Sequence, residues 1–239
     1  MASGPPRAFA GFGLDAPAFL AGLAANNSKP WFEANRAAYE SSVRQPLASL
    51  VADVSAELAR RGLPLQGDPK RSSFRIHRDI RFSSDKSPYK TEAGVVWYRQ
   101  GSSKGGAGVL YFHLAPSGCF VAAAFYRPDP EVLDAVRERI RVHPDRFLAM
   151  QAELEGAGLA LDASDTLTRM PRGFEDLKGS PVAGAIRLRS FLVRRDLPAA
   201  ATSGPGLTGA IAGLAAAALP LLRFGWDAVD EAALPMDRR

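Results

Sequence analysis

The sequence predicts an α+β fold: a single domain with a largely antiparallel sheet of about five strands, packed by N-terminal and C-terminal helices. Three observations lead to this. Apolar residues recur at helical spacing as far as residue 58, switch to two-residue alternation near residue 73, and return to helical spacing after residue 129. The alternating runs are separated by short Gly-, Ser- and Pro-containing segments suited to hairpins. Helices first, then hairpin-linked strands, then helices with one returning strand, is the order of an α+β domain. No linker-like stretch divides it, so residues 9–225 are read as one domain between tails at 1–8 and 226–239.

Asp15 is placed as the cap of a first helix through Phe19, Leu20 and Leu23, which ends at Asn26 and Asn27. Ser28 and Pro30 open a second helical stretch. From Trp31 the apolar positions Tyr39, Val43, Leu47, Leu50, Val51, Val54 and Leu58 keep helical spacing, with Pro46 as a kink or restart and Gly62 as the stop. Strands are then predicted at 73–82, 93–99, 109–115 and 119–126, the last two joined by the turn "APSG". The loop "GSSKGGAG" lacks the GK-Ser/Thr ending of a phosphate loop and reads as a connection. Asp129 and Pro130 start a helix whose stripe of Val132, Leu133, Val136 and Ile140 leaves Arg137, Arg139 and Arg141 outward. Pro144 starts the next helix, and 185–193 alternates as a late strand.

With 239 residues, 46% of them apolar and 23% charged, the chain can bury a substantial core and is not of disordered composition. The lone Cys119 excludes an intramolecular disulfide and suits a reducing cytoplasm. Three scattered histidines, His77, His113 and His143, leave little for a metal or haem site, so no cofactor is expected. The amino terminus lacks the basic and apolar regions of a secretory signal. Residues 197–222 carry no charge, but Pro198, Pro205, Pro220 and several glycines argue for a buried or partner-facing helix at 207–219 instead of a membrane span. Nothing in the pattern specifies an oligomeric state.

The net charge of +5 is unevenly spread. Between Asp68 and Lys104 nine basic residues stand against four acids, and nine minus four equals the excess of the whole chain. The densest part is "RDIRFSSDKSPYK" at 78–90. As a strand, 74–82 would place Phe74, Ile76, Arg78, Ile80 and Phe82 on one face and Arg75, His77, Asp79 and Arg81 on the other. An unpaired guanidinium among apolar neighbours costs on the order of several kcal/mol, so Arg78 must meet a carboxylate, a ligand anion or an outward bulge. Pro88 biases Ser87 toward extended backbone, and Asp85 can form an Asx turn onto a following N–H. The resulting basic loop suits an oxyanion. Arg75 and Arg81 would lie roughly 20 Å apart on a strand, so a compact site must recruit loop or neighbouring cations such as Lys86, Lys90, Arg187 or Arg189. The candidate ligand-binding set is Arg75, Arg78, Asp79, Arg81, Ser83, Asp85, Lys86 and Lys90.

The segments "NNSKPWFEANRAAYESSVRQPL", "FRIHRDIRFSSDKSPYKTEAG", "FYRPDPEVLDAVRERI" and "MPRGF" resemble, in this order, a bacterial and fungal family known only as a domain of unknown function, twenty-four sixty-one in that numbering. The resemblance spans nearly the whole chain and implies no activity. It singles out Asn26, Asn27, Trp31, Phe32, Arg75, Arg78, Asp79, Arg81, Phe82, Ser83, Asp85, Lys86, Pro88, Tyr89 and Lys90, then Pro128, Pro171, Gly173 and Phe174.

The first functional expectation is therefore the binding of a phosphate-bearing small molecule or other oxyanion by the basic strand and loop. An enzyme using the same cleft is an alternative, with Asp79, Asp85, His77 and His113 as acid–base groups, though no nucleophile–base spacing singles one out. A protein-interaction domain is another. Nucleic acid ranks lower as a partner, because exposed aromatics interleaved with basic residues are sparse.

Overall fold

The computed structural model describes residues 8–81 and 84–233. Its helices are α1 (Asp15–Ala25), α2 (Lys29–Ala34), α3 (Arg36–Tyr39), α4 (Gln45–Arg60), α5 (Pro130–Val142), α6 (Pro144–Gly156), α7 (Ala183–Ile186), α8 (Ala199–Thr202), α9 (Gly206–Ala217) and α10 (Leu219–Glu231). The strands β1 (Leu65–Gln66), β2 (Ala93–Arg99), β3 (Val109–Ala115), β4 (Gly118–Phe125) and β5 (Phe191–Leu197) form one antiparallel sheet in the order β1-β2-β3-β4-β5. The fold class expected from the sequence is the one observed. The chain divides into two compact units, 1–97 with 111–121 and 196–213, and 98–110 with 122–195 and 214–239.

In the first unit α4 buries Leu47, Leu50, Val51, Val54 and Leu58, the stripe that the 3.6-residue period dictates. Pro46 sits in its first turn. Because proline lacks an N–H and its ring crowds the carbonyl four residues back, the preceding turn widens into a π-helix at Glu40–Arg44. The far end closes as a Schellman motif, with Leu63 N–H on the Leu58 carbonyl at 2.9 Å, Gly62 N–H on Ala59 at 3.0 Å, and Gly62 at φ +67°. The core begins with Phe9, whose N–H meets Asp53 at 2.7 Å, and Phe12, stacked 5.9 Å from Phe112.

In the second unit α5 packs against α6, α7 and α10. This crowding overturns the outward placement of two arginines, since Arg137 and Arg139 are buried and Arg141 is half-buried. Arg137 donates to the carbonyls of Ile186 at 2.9 Å and Leu188 at 3.0 Å, and reaches Asp134 at 3.1 Å. Loss of hydration pulls its guanidinium pKa down. Arg139 bridges from α5 to Asp227, at 2.8 Å, and Glu231 on α10. A long cationic side chain can thus satisfy a flanked helix face where periodicity alone predicts solvent.

Three other expectations change. Residues 73–81, the described part of the expected strand, do not form a strand of the sheet: Ser73 bridges Val95, after which the chain leaves. The late strand lies at Phe191–Leu197, because Val182 and Ile186, four apart, wind 183–186 into a helical turn and Leu188 bridges Thr166 outside the sheet. Its inward residues are Phe191 and Val193. The C-terminal boundary at 225 falls inside α10, where Trp226 is buried and donates to the Ala107 carbonyl at 3.1 Å. No single helix among the described residues is long and apolar enough to cross a membrane. The uncharged run is split at Ala218 between α9 and α10, as its prolines suggested.

α10 rests on Phe125 through Gly225, where a Cβ would fall 2.3 Å from the ring. Gly225→Ala should therefore destabilise by about 1–3 kcal/mol through overpacking, although alanine is about 1 kcal/mol the better helix former. Thermal unfolding measures the outcome: a midpoint several degrees lower is expected, and a rise would mean that helix propensity dominates.

Candidate functional site

Residues 76–78 and 88–90 of the first unit pair as a short two-stranded arm. Lys90 N–H donates to the Ile76 carbonyl at 2.8 Å and Arg78 N–H to the Pro88 carbonyl at 2.9 Å, with His77 bridged to Tyr89. Pro88 accepts but cannot donate, so the ladder stays short. The arm is pinned to the α1–α2 junction by one side chain. Asn27 donates from Nδ2 to the Tyr89 carbonyl at 2.9 Å and accepts the Tyr89 N–H on Oδ1 at 3.0 Å, which is how a strand neighbour would pair. Tyr89 is buried and its ring stacks on Phe32 at 4.3 Å.

At the tip the charges pair with one another. Arg78 meets the carboxylate of Asp85, so the anomalous arginine has the carboxylate partner that its apolar neighbours required. The expected Asx turn is present: Asp85 Oδ1 accepts the Ser87 N–H at 2.9 Å and the Ser87 hydroxyl at 2.6 Å. These donors, with Arg78 after them, lower the Asp85 pKa. Arg81 grips Asp79 with two contacts, 3.0 and 2.7 Å, and holds its carboxyl down at about 2.

Lys86 Nζ donates to the Ile80 carbonyl at 3.0 Å. Lys90 Nζ lies 5.6 Å from the centre of the Phe74 ring. Arg75 is exposed and near enough to Asp79 to favour its ionised form. Ser83, with Phe82, lies outside the described residues. Arg78, Asp79, Arg81, Asp85 and Lys86 are thus brought together on one tip, with Arg75 and Lys90 along the arm. The single-face reading is corrected for the described part of it: Ile76 is buried, but Phe74 and Ile80 are 41% and 37% exposed, and among the described residues two backbone hydrogen bonds join the two sides of the arm. Arg187 and Arg189 are engaged within the second unit, on the Ala183 carbonyl at 3.4 Å and Asp165 at 3.5 Å.

A second cluster of the first unit includes His113, one of the acid–base candidates named from the sequence. Tyr111 and His113 share a face of β3, and the Tyr111 hydroxyl lies 3.0 Å from His113 Nδ1. Phe120 stacks on His113 at 4.6 Å and Phe74 meets Tyr111 edge-on at 6.1 Å. His113 is half-buried here, not a core residue. The tyrosine hydroxyl occupies the space over Gly94, where a Cβ would fall 2.6 Å from it, and burial raises its pKa to about 12. The signal was the glycine inside a strand, which marks a close approach. The Asn27–Tyr89 lock left no such signal, since 62 positions separate its partners. No cluster of metal-ligating side chains occurs among the described residues.

The family model for "Conserved hypothetical protein (DUF2461)" matches residues 15–224, so the chain belongs to that family. Neither a curated protein nor a solved structure matches it.

Replacing Asn27 by alanine removes both bonds and strands two polar groups of a buried residue, for an expected loss of about 2–3 kcal/mol. The matching observation is faster amide exchange at Tyr89 and Lys90 together with a lower unfolding midpoint; unchanged exchange would show that the arm is held by other contacts. For Asp79 the folded pKa is depressed, so its pairing with Arg81 is complete above the ordinary carboxyl value of 3.8 and is lost as pH falls through about 2. Carboxyl chemical-shift titration should show that midpoint, and a value near 3.8 would mean that the pair is open in solution.

Proposed function

We propose that the protein binds a compact oxyanion, of the phosphate-monoester class, on the 76–90 arm. The supporting observation is a charge excess beside two hydrogen-bonded backbone segments, 76–78 and 88–90. From Arg75 to Lys90 five cations accompany two carboxylates, and Arg78 and Arg81 take both of those. Arg75, Lys86 and Lys90 form no ion pair among the described residues.

An incoming oxyanion draws Lys86 from a neutral carbonyl and Lys90 from a ring face, and gains charge-assisted bonds in return. The internal pairs do a different job: Arg78–Asp85, the Asx turn and the Asn27 lock hold the loop in shape, so that little ordering is left to the binding step. The arm is short and turned, which favours a small anion over the long phosphate track of duplex DNA. The lone buried Cys119, whose thiol pKa is raised by burial, fits a reducing compartment such as the cytoplasm.

A thermal-shift series with phosphate, pyrophosphate and sugar phosphates tests this reading. At a concentration 100 times the dissociation constant, linkage contributes about 2.7 kcal/mol. For a chain of this size that is a shift on the order of 5–10 °C. Lys86→Ala combined with Lys90→Ala should keep the unliganded midpoint and lose the shift. If no small oxyanion acts while duplex DNA binds with a salt slope of about −0.9 per phosphate contact, a nucleic-acid interface replaces the proposal.

A further inference from the structure

Just past the end of β4, in the second unit, the backbone takes a conformation that its residue does not favour. Arg127 lies at φ +40°, in the left-handed region that glycine enters freely and other residues only with strain. The buried Ser190 accepts its N–H at 2.9 Å and so fixes that backbone against the start of β5. The Arg127 guanidinium has two neighbours, the Tyr126 ring, whose centre is 5.6 Å away, and Asp165 Oδ2 at 3.2 Å. The other oxygen of the same carboxylate lies 3.5 Å from Nη1 of Arg189. Asp165 and Arg189 stand opposite each other because 165–167 pairs with 187–189, through the Arg189 N–H on the Asp165 carbonyl at 3.2 Å and the Leu167 N–H on the Arg187 carbonyl at 2.8 Å. Glycine at 127 would remove the strain, so the arginine there points to a use for its side chain.

We propose that Arg127 and Arg189 receive an acidic segment of a partner protein, with one of its carboxylates bridging the two guanidiniums. Two cations share one carboxylate, so the cluster keeps one positive charge, and each arginine turns a single Nη to Asp165. Nε and Nη1 of Arg127 and Nε and Nη2 of Arg189 have no hydrogen-bond partner among the described residues. Such forked donors match the two oxygens of a carboxylate. Asp165 and Tyr126 already orient the guanidiniums, so less side-chain freedom is lost on binding. The Arg127 and Arg189 side chains are 67% and 54% exposed and Tyr126 is 65% exposed, which presents them to a surface, whereas small ligands are held in concavities that cover them. Tyrosine and arginine are also enriched among the residues that dominate binding between proteins. One surplus charge suits one carboxylate and not the phosphate track of a nucleic acid. The site is separate from the arm of the first unit.

Calorimetric titration of the full chain with a hexaglutamate peptide at low salt tests the proposal. Saturable binding is expected, and Arg127→Gly and Arg189→Gln should each weaken it at least about fivefold. Arg127→Lys, which keeps the charge and loses the fork, should also bind more weakly than the unaltered chain. These effects should persist in the chain that carries Lys86→Ala and Lys90→Ala, which separates the site from the arm. Arg127→Gly relieves the strained backbone and Arg189→Gln keeps the backbone bond to Asp165, while the exposed ion pairs they remove contribute little, so both should retain the unfolding midpoint. If Arg127→Gly alone lowers the midpoint, Arg189→Gln decides. Absence of saturable binding, or binding that Arg189→Gln leaves unchanged, overturns the proposal. A ten-nucleotide single strand that binds more tightly than the peptide, with the same dependence on Arg127 and Arg189, overturns the commitment to an acidic protein segment.

Discussion

β2 is buried along nearly its whole length, and its first five residues set conditions that the rest of the first unit must meet. Trp97 is fully buried, with its indole N–H on the Val51 carbonyl of α4 at 3.3 Å, so the helix and the strand are tied by a polar bond inside an apolar contact. A Cβ at Gly67 would fall 2.7 Å from that indole, so the chain can pass there only as glycine. Val95 receives the bridge from Ser73 that launches the arm, and Gly94 admits the Tyr111 hydroxyl. The helix, the arm and the aromatic patch are thus all positioned from one strand. A buried polar group must find a partner, and a close-packed interior leaves room for only one arrangement of them.

Arginine takes two roles in this chain, and burial separates them. In the second unit Arg137 and Arg139 have side chains only 6% exposed, and Nε and Nη2 of Arg137 and both Nη atoms of Arg139 donate to carbonyls or carboxylates that tie α5 to α7, the bend after it and α10. A planar guanidinium with five donors can serve several acceptors at once, which suits it to such junctions. On the arm the ion pairs are solvent-exposed and contribute little to global stability. Their effect is local: they hold Arg78 to Asp85 and Arg81 to Asp79. Arg75, Lys86 and Lys90 form no ion pair among the described residues.

The family match extends over nearly all of the structure just described, and several segments that carry the resemblance acquire physical reasons here. Asn27 closes the arm, Gly94 makes room for a hydroxyl, and Gly173, at φ +87°, turns a loop whose carbonyl accepts from Arg141. These are constraints of shape and hydrogen bonding. The oxyanion reading draws on a different feature, the surplus charge of the arm.

The sequence by itself determined whatever depends on neighbours within about a turn or a hairpin. The α4 stripe, its Schellman stop at Gly62, the hairpin turn at Pro116 and Ser117, the Asx turn at Asp85 and the α+β order were all legible, because 3.6-residue and two-residue periods and turn chemistry act locally. Tertiary structure alone decided that the run at 73–81 leaves the sheet, that 183–186 winds into a helix, and that Arg137 and Arg139 turn inward. In each case the local pattern fits two states, and the choice falls to partners distant in the chain: Pro88 and Asn27 for the arm, Thr166 for Leu188, and α10 for α5. The free energy that selects between those states comes from satisfying buried polar groups across such contacts, and no spacing along the chain records which groups will meet.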